Sequence, residues 1–335
     1  GLLPLQARER VEANAGSLQL SLPSRNAGLS GRFTYGFDKK YFAEFNFGYN
    51  GSERFAANER WGFFPSVSAG WNIHKESFMR NASTVSNLKL RGSYGLLGNQ
   101  AGAATYTFAS TMSLSNSLGS YFFSNGRHNY TNAPGVVNPS TTWEKVKSIN
   151  IGLDFGFFKD ALQGSFDVFQ RDTKDMLGPG LDFPDFFGAS APQTNNASLR
   201  NRGWEFAVNY RGKIGKDVNF LVGGSVADAT SVVTEYENPT FTNPSDNWYN
   251  GRSVGEIWGY TTDGLFASDE EAAAYGEKYN TSAVGQRCSE GVGNSDMCRW
   301  RAGDVRYVDL DGNDTISMGA GTLADHGDLK VIGNA

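Results

Sequence analysis

The sequence predicts an all-β fold, an antiparallel transmembrane β-barrel wall of about eight strands with long extracellular loops. Three observations predict it. Segments of roughly 6–11 residues alternate in polarity, the period of a strand with one apolar face. Aromatic residues sit at the ends of many of these segments. The connections alternate between tight turns and long loops, the asymmetry of outer-membrane-type barrels.

The first strand is GRFTYGF, where Phe33, Tyr35 and Phe37 oppose Arg32, Thr34 and Gly36. Asp38-Lys39-Lys40 turns the chain into YFAEFNFGYN (41–50). There Tyr41, Ala43, Phe45, Phe47 and Tyr49 share one parity, with Phe42 the exception on the other. A loop over 51–62 leads to FFPSVSAGWNI (63–73), and 74–87 leads to LKLRGSYGL (88–96). The long loop 98–146 precedes SINIGLDFGFF (148–158), and a turn at Phe158-Lys159-Asp160 precedes ALQGSFDVFQ (161–170). Residues 171–202 then lead to GWEFAVNY (203–210), and 211–217 to VNFLVGGSVA (218–227). The expected organisation is an unassigned lead-in over 1–30, eight up-and-down strands over 31–227, and a long extracellular loop region over 228–335.

The apolar face decides between lipid and a protein core. A sandwich core would be dominated by Val, Ile and Leu, whereas here Tyr41, Tyr49, Trp71, Tyr94, Trp204 and Tyr210 mark the strand ends. Tyr and Trp favour the membrane–water interface because one end of the ring system is wet. Tyr41 and Tyr49 are eight residues apart. At ~3.3 Å per residue and a tilt near 40° that is about 20 Å along the membrane normal, close to the apolar band of such barrels. Alternation alone also fits a soluble or surface-anchored β-sandwich that binds glycans, with its polar face outside.

Composition narrows the function. With 30 basic against 35 acidic residues and a net charge of −5, nothing favours nucleic acid. No apolar run reaches the length of a transmembrane helix, which leaves a barrel open. GLLPLQARER lacks the features of a signal peptide, so the sequence is expected to be a mature chain or a piece of something longer. No G-x-S-x-G occurs, GLLGNQAGAA (95–104) lacks the ending of a phosphate loop, and His74, His128 and His326 are far apart, so no enzyme is expected. Cys288 and Cys298, in CSEGVGNSDMC, lack zinc-site spacing and are expected to pair as a disulfide, with a pair of exposed free thiols the competing reading.

Longer stretches carry a resemblance. RFAANERWGFFPSVSAGWNIHKESFM (54–79), LKLRGSYGLLGNQ (88–100), NPSTTWEKVKSINIGLDFGFFKDALQGSFDVFQRDTKDML (138–177) and ASLRNRGWEFAVNY (197–210) resemble, in order, segments of the SusC/RagA-like TonB-dependent outer-membrane transporters of Bacteroidetes. VGEIWGYTTDGLFASDEEAAAY (254–275) and GDVRYVDLDGNDTI with DLKVIGNA (303–335) are similar to a long late loop of that family. The resemblance implies a 22-stranded barrel, of which this chain is a middle-to-late part, without plug, TonB box or closing strand. It also implies import of oligosaccharide or peptide, a SusD-like surface lipoprotein as partner, energy from the TonB complex through a segment elsewhere, and no cofactor. A siderophore-type outer-membrane receptor is the neighbouring alternative.

Three further features are candidate sites. Asp309, Asp311 and Asn313 present oxygen ligands at alternate positions, as calcium loops do. An EF-hand loop starting there would want Gly where Asp314 stands and an acid where Ala320 stands, so an Asx-bonded turn is the competing reading. Trp248, Tyr249, Trp258 and Tyr260 form an aromatic loop suited to ligand or partner contact, or to a small core of its own. In FASDEEAAAY, Ser268 and Glu271 predict the capping box of a short helix.

Overall fold

A computed structural model describes residues 4–10, 23–104, 106, 108–110, 112, 114–115, 130–180, 183–215, 217–238, 244, 247–281, 284 and 300–334. They fall into two units, Gly1–Glu237 and Asn238–Ala335.

The first unit is a nine-stranded antiparallel meander. Its strands are β1 (Leu5–Arg10), β2 (Ser24–Phe37), β3 (Tyr41–Ser52), β4 (Trp61–Asn72) and β5 (Val85–Asn99), then β8 (Glu144–Phe157), β9 (Leu162–Gly178), β10 (Thr194–Ile214) and β11 (Val218–Glu235). Between β5 and β8, β6 (Leu114–Ser115) pairs with β7 (Tyr130–Thr131) in a separate ribbon. All eight predicted strands are present, in the predicted order. The ninth, β1, lies in the lead-in that the sequence left unassigned. It reads LQARER, with no apolar parity to reveal it, and is fixed by its ladder to β2.

The strands also outrun their predicted ends, mostly towards the long loops, although β5 begins at Val85 and β10 continues to Ile214 on the turn side. β9 continues to Gly178, β10 begins at Thr194, and β11 continues to Glu235, into the region assigned to the late loop. The reason is that a backbone ladder needs no apolar face, while alternation detects only the section that has one. At the other end the β2–β3, β8–β9 and β10–β11 turns are tight, while β4 and β5 are joined over 73–84. Asp38 and Lys39, and again Lys159 and Asp160, have positive φ at both central positions, the type I′ geometry that matches strand twist.

The register shows how the apolar band crosses the sheet. The pairing line through Tyr41 and Trp71 continues through Leu90, Leu153, Phe166 and Phe206. Tyr210 lies four residues farther along β10 towards the turns. At the opposite border, the line through Tyr94 passes Ile149 and reaches Gln170 and Arg202, already polar. The band therefore slips along successive strands, as it must when strands are tilted against a flat membrane.

Glycines seat the aromatics. A Cβ at Gly31 would strike the Phe47 ring, one at Gly51 the Trp61 indole, and one at Gly212 the Phe220 ring. The high glycine content thus has a packing role here, as a bare stretch of strand over which a neighbouring ring lies.

In the second unit, β12 (Glu256–Tyr260) pairs with β15 (Leu329–Asn334), and β13 (Thr262–Leu265) with β14 (Val305–Tyr307). The helix α1 spans Asp269–Lys278. Ser268 accepts from the Glu271 amide and Glu271 accepts from the Ala267 amide, close to the predicted cap. Phe266, Ala272, Tyr275, Trp300 and Ile316 form its core.

Candidate functional site

The six predicted interface aromatics lie on one face of the meander. Trp71 is half-buried and the other five are exposed, and around them Phe33, Tyr35, Phe37, Phe45, Phe63, Val67, Ile151, Phe166 and Val168 are exposed too. At the turn end, Tyr41 Oη and Trp71 Nε1 both donate to Glu76 Oε1, at 2.6 and 3.1 Å, and Lys40 lies 3.7 Å from the same carboxylate. The rings are apolar along the strand and polar at the tip, the arrangement a membrane interface selects.

At the loop end the same face changes character within two residues. On β8 Ile149 gives way to Lys147, on β9 Val168 to Gln170 and Asp172, and on β10 Trp204 to Arg202 and Arg200. The polar groups form one network. Arg202 Nε donates to Gln170 Oε1 at 2.7 Å, Gln170 to Asp172 at 2.7 Å, and Arg200 Nε to the other Asp172 oxygen at 2.6 Å. Lys147 sits 5.6 Å from the centre of the Tyr94 ring.

The opposite face is charged and glycine-rich. Arg91 on β5 reaches across β8 to Asp167 on β9, Nη2 to Oδ2 at 2.5 Å, and its Nε contacts Asp154 at 3.1 Å. It crosses at Gly152, where a Cβ would fall on the guanidinium. Arg32 pairs with Glu44 at 2.5 Å, and Lys89 lies 5.9 Å from the Phe42 ring centre. Phe42, the exception to the alternation, therefore belongs to the charged face.

Arg54-Phe55 and Thr141-Thr142-Trp143 meet at the loop end. Phe55 is fully buried against Trp143, ring centres 5.2 Å apart, with Phe64 and Ala103 completing the cluster. Trp143 Nε1 donates to the Arg60 carbonyl at 3.0 Å, and the Arg54 guanidinium donates to the carbonyls of Gln100 and Ala103. No periodicity could have joined residues so far apart in sequence.

In the second unit Tyr249 is buried, and burial together with its 2.8 Å hydrogen bond to Glu256 pushes its phenol up to about 12. Tyr260 packs on Tyr307 and Trp258 on His326, while Trp248 is the exposed member of the four. Asp309 and Asp311 come together with Asp328, which is fully buried and which sequence spacing did not suggest. Each of the six carboxylate oxygens accepts a protein hydrogen bond. Asp309 accepts from the amides of Gly312 and Asp314, Asp311 from the amide and side chain of Asn313, and Asp328 from the amides of Leu310 and Ser317. The Asn313 oxygen accepts from the Thr315 amide. The cluster is thus satisfied as a turn, with burial raising the Asp311 carboxyl above its usual range. Cys288 and Cys298 lie outside the described residues.

An apolar face with aromatic ends, bordered on one side by a polar network and backed by a charged glycine-rich face, defines a segment of a transmembrane β-barrel wall. The chain belongs to the TonB dependent receptor-like, beta-barrel family, whose sequence profile matches residues 11–325. It is an outer-membrane protein segment. It is 33% identical over 202 residues to the TonB-dependent receptor SusC of Bacteroides thetaiotaomicron, covering 59% of this chain and 20% of that protein. It is 28% identical over 308 residues to the TonB-dependent receptor P3 of Formosa agariphila, covering 91% of this chain and 28% of that protein. Among solved structures it resembles the RagAB peptide transporter, with a TM-score of 0.60 and 25% identity over 73% of this chain and 27% of that one. The chain thus spans between a fifth and a third of the length of these relatives.

Proposed function

We propose that the chain is part of the wall of a TonB-dependent importer that carries a nutrient, oligosaccharide or peptide, across the outer membrane. The observation that carries this reading is the border on β8–β10, where Ile149, Val168 and Trp204 give way to Lys147, Gln170 and Arg202 on the same face. An apolar face that ends so abruptly fits a slab of hydrocarbon between two aqueous phases. Likeness to SusC and to a transporter named for peptides supports import and leaves both substrate classes open. The partners on this reading are a SusD-like surface lipoprotein at the extracellular mouth and the TonB complex of the inner membrane.

The test is the native protein, extracted from membranes with detergent and identified by peptides of this sequence. The expected result is an outer-membrane species several times the 36.4 kDa of this chain, co-purifying with a lipoprotein. Uptake of its nutrient should be abolished in a TonB-deficient strain. A 36.4 kDa species in the aqueous fraction would overturn the proposal.

A further inference from the structure

On the lipid-facing side of the wall, charges at the loop-end border are paired in one region and open in another. On β2 the cation above the apolar band, Arg25, is paired with Glu9 and Glu53. On β10 Arg202 has no carboxylate partner among the described residues, and only its Nε is engaged, by the neutral Gln170 amide. Both Nη groups are left for another acceptor, and paired guanidinium N–H groups are the usual grip on a phosphate. On β11 Thr230 stands opposite Arg202, and Asp228, opposite Trp204, is exposed with no hydrogen bond or ion pair among the described residues. Lys147, two strands away on β8, leans in the other direction onto Tyr94.

Strand tilt brings Arg202 and Asp228 level. Because the apolar band slips towards the turns from β5 to β10, each step along a pairing line rises towards the loops. At ~4.8 Å between strands, ~3.3 Å per residue and a tilt near 40°, Asp228 lies within about 3 Å of the depth of Arg202. The two are diagonal neighbours, about 7–8 Å apart at this spacing. Below them opens a groove of about 640 Å³, walled by Ile149, Ile151, Phe166, Val168 and Trp204, with Gln170, Arg202, Asp228 and Thr230 at its rim. Its mouth faces hydrocarbon, so its occupant comes from the bilayer. An apolar trough below a cation and an anion complements an acyl chain below a phosphate and an ammonium. A head group carrying phosphate alone would leave Asp228 uncompensated beside a second negative charge. We propose that the groove holds a membrane lipid with a phosphoethanolamine head group, its phosphate on Arg202 and Thr230, its ammonium on Asp228, and its chain along Ile151, Phe166 and Val168. The site depends on the wall's place in the membrane and not on what the transporter carries.

The test loads the intact transporter, purified in detergent, with equal amounts of phosphatidylethanolamine, its N-acetylated derivative and phosphatidylglycerol, and reads the lipids retained after washing by native mass spectrometry. The wild-type protein should retain phosphatidylethanolamine about ten-fold better than the other two, as expected for one hydrogen bond between charged groups. Asp228→Asn should erase that preference without lowering retention of phosphatidylglycerol. Arg202→Gln should weaken retention of all three about ten-fold. Unchanged heat-modified migration on gels would show that both variants are folded; should either fail that check, the wild-type preference decides alone. Equal retention of the three lipids by the wild type, retention of none, a preference that survives Asp228→Asn, or retention untouched by Arg202→Gln would overturn the site. So would preferential retention, from outer-membrane extract, of a phosphorylated glycolipid that has no free amine.

Discussion

The wall and the loop unit use the same aromatic residues in opposite ways. In the loop unit Phe266, Tyr275 and Trp300 are buried together, with Trp300 7% exposed and its Nε1 donating to Thr281 at 3.0 Å. In the wall Phe33 is 52% and Phe45 38% exposed, and neither has a core behind it. The loop unit is held by a water-excluding core, while the apolar band of the wall, away from the Phe55–Trp143 cluster at its loop end, is held by a backbone ladder whose rings stack side by side, as Phe33 does on Phe45 at 6.4 Å. The difference teaches that the solvent of the two regions differs. Rings buried against one another answer to water, and rings left open in rows answer to hydrocarbon.

The comparison can be broken at either end. The largest effect is expected for Trp300→Ala, which opens a cavity in the small core and removes the indole N–H that donates to Thr281. It should cost about 3–5 kcal/mol. Hydrogen exchange in the intact protein should show lost protection over α1 with the wall ladders unchanged. Equal loss in both units would show that the two regions are not separately stabilised. Next is Phe45→Arg, midway between Tyr41 and Tyr49, expected to cost about 2–4 kcal/mol as a charge near the bilayer centre. Urea titration of the protein in lipid should read that loss, and Phe45→Ala should cost less than Trp300→Ala. A harmless arginine would place this face in water.

Gly203→Ala probes the ladder itself. Its Cβ would lie 2.6 Å from the Asp228 carbonyl oxygen, 2.7 Å from the Phe169 ring and 2.8 Å from Ala229 Cβ. Overpacking of this kind costs about 1–3 kcal/mol. The loss should appear as faster exchange in β10 and β11, and a variant as protected as the wild type would remove the glycine seats from the account. The smallest effect is expected for Ser268→Ala, about 1 kcal/mol through the lost helix cap. It should be read as fraying at Asp269–Glu271 alone, and no change there would mean that α1 is held by Ala272 and Tyr275 without its cap.

The sequence by itself determined the strand period, the order of the eight main strands, the alternation of turns and loops, and the cap at Ser268. These are local properties, because period, turn chemistry and capping are set by residues within a few positions of one another. Tertiary structure decided what depends on register. It brought Arg91 to Asp167 across Gly152, set Phe55 against Trp143, and added Asp328 to the turn of Asp309 and Asp311. It also revealed β1 and the polar upper reaches of β9 and β10, where ladder bonds continue after the apolar parity has ended.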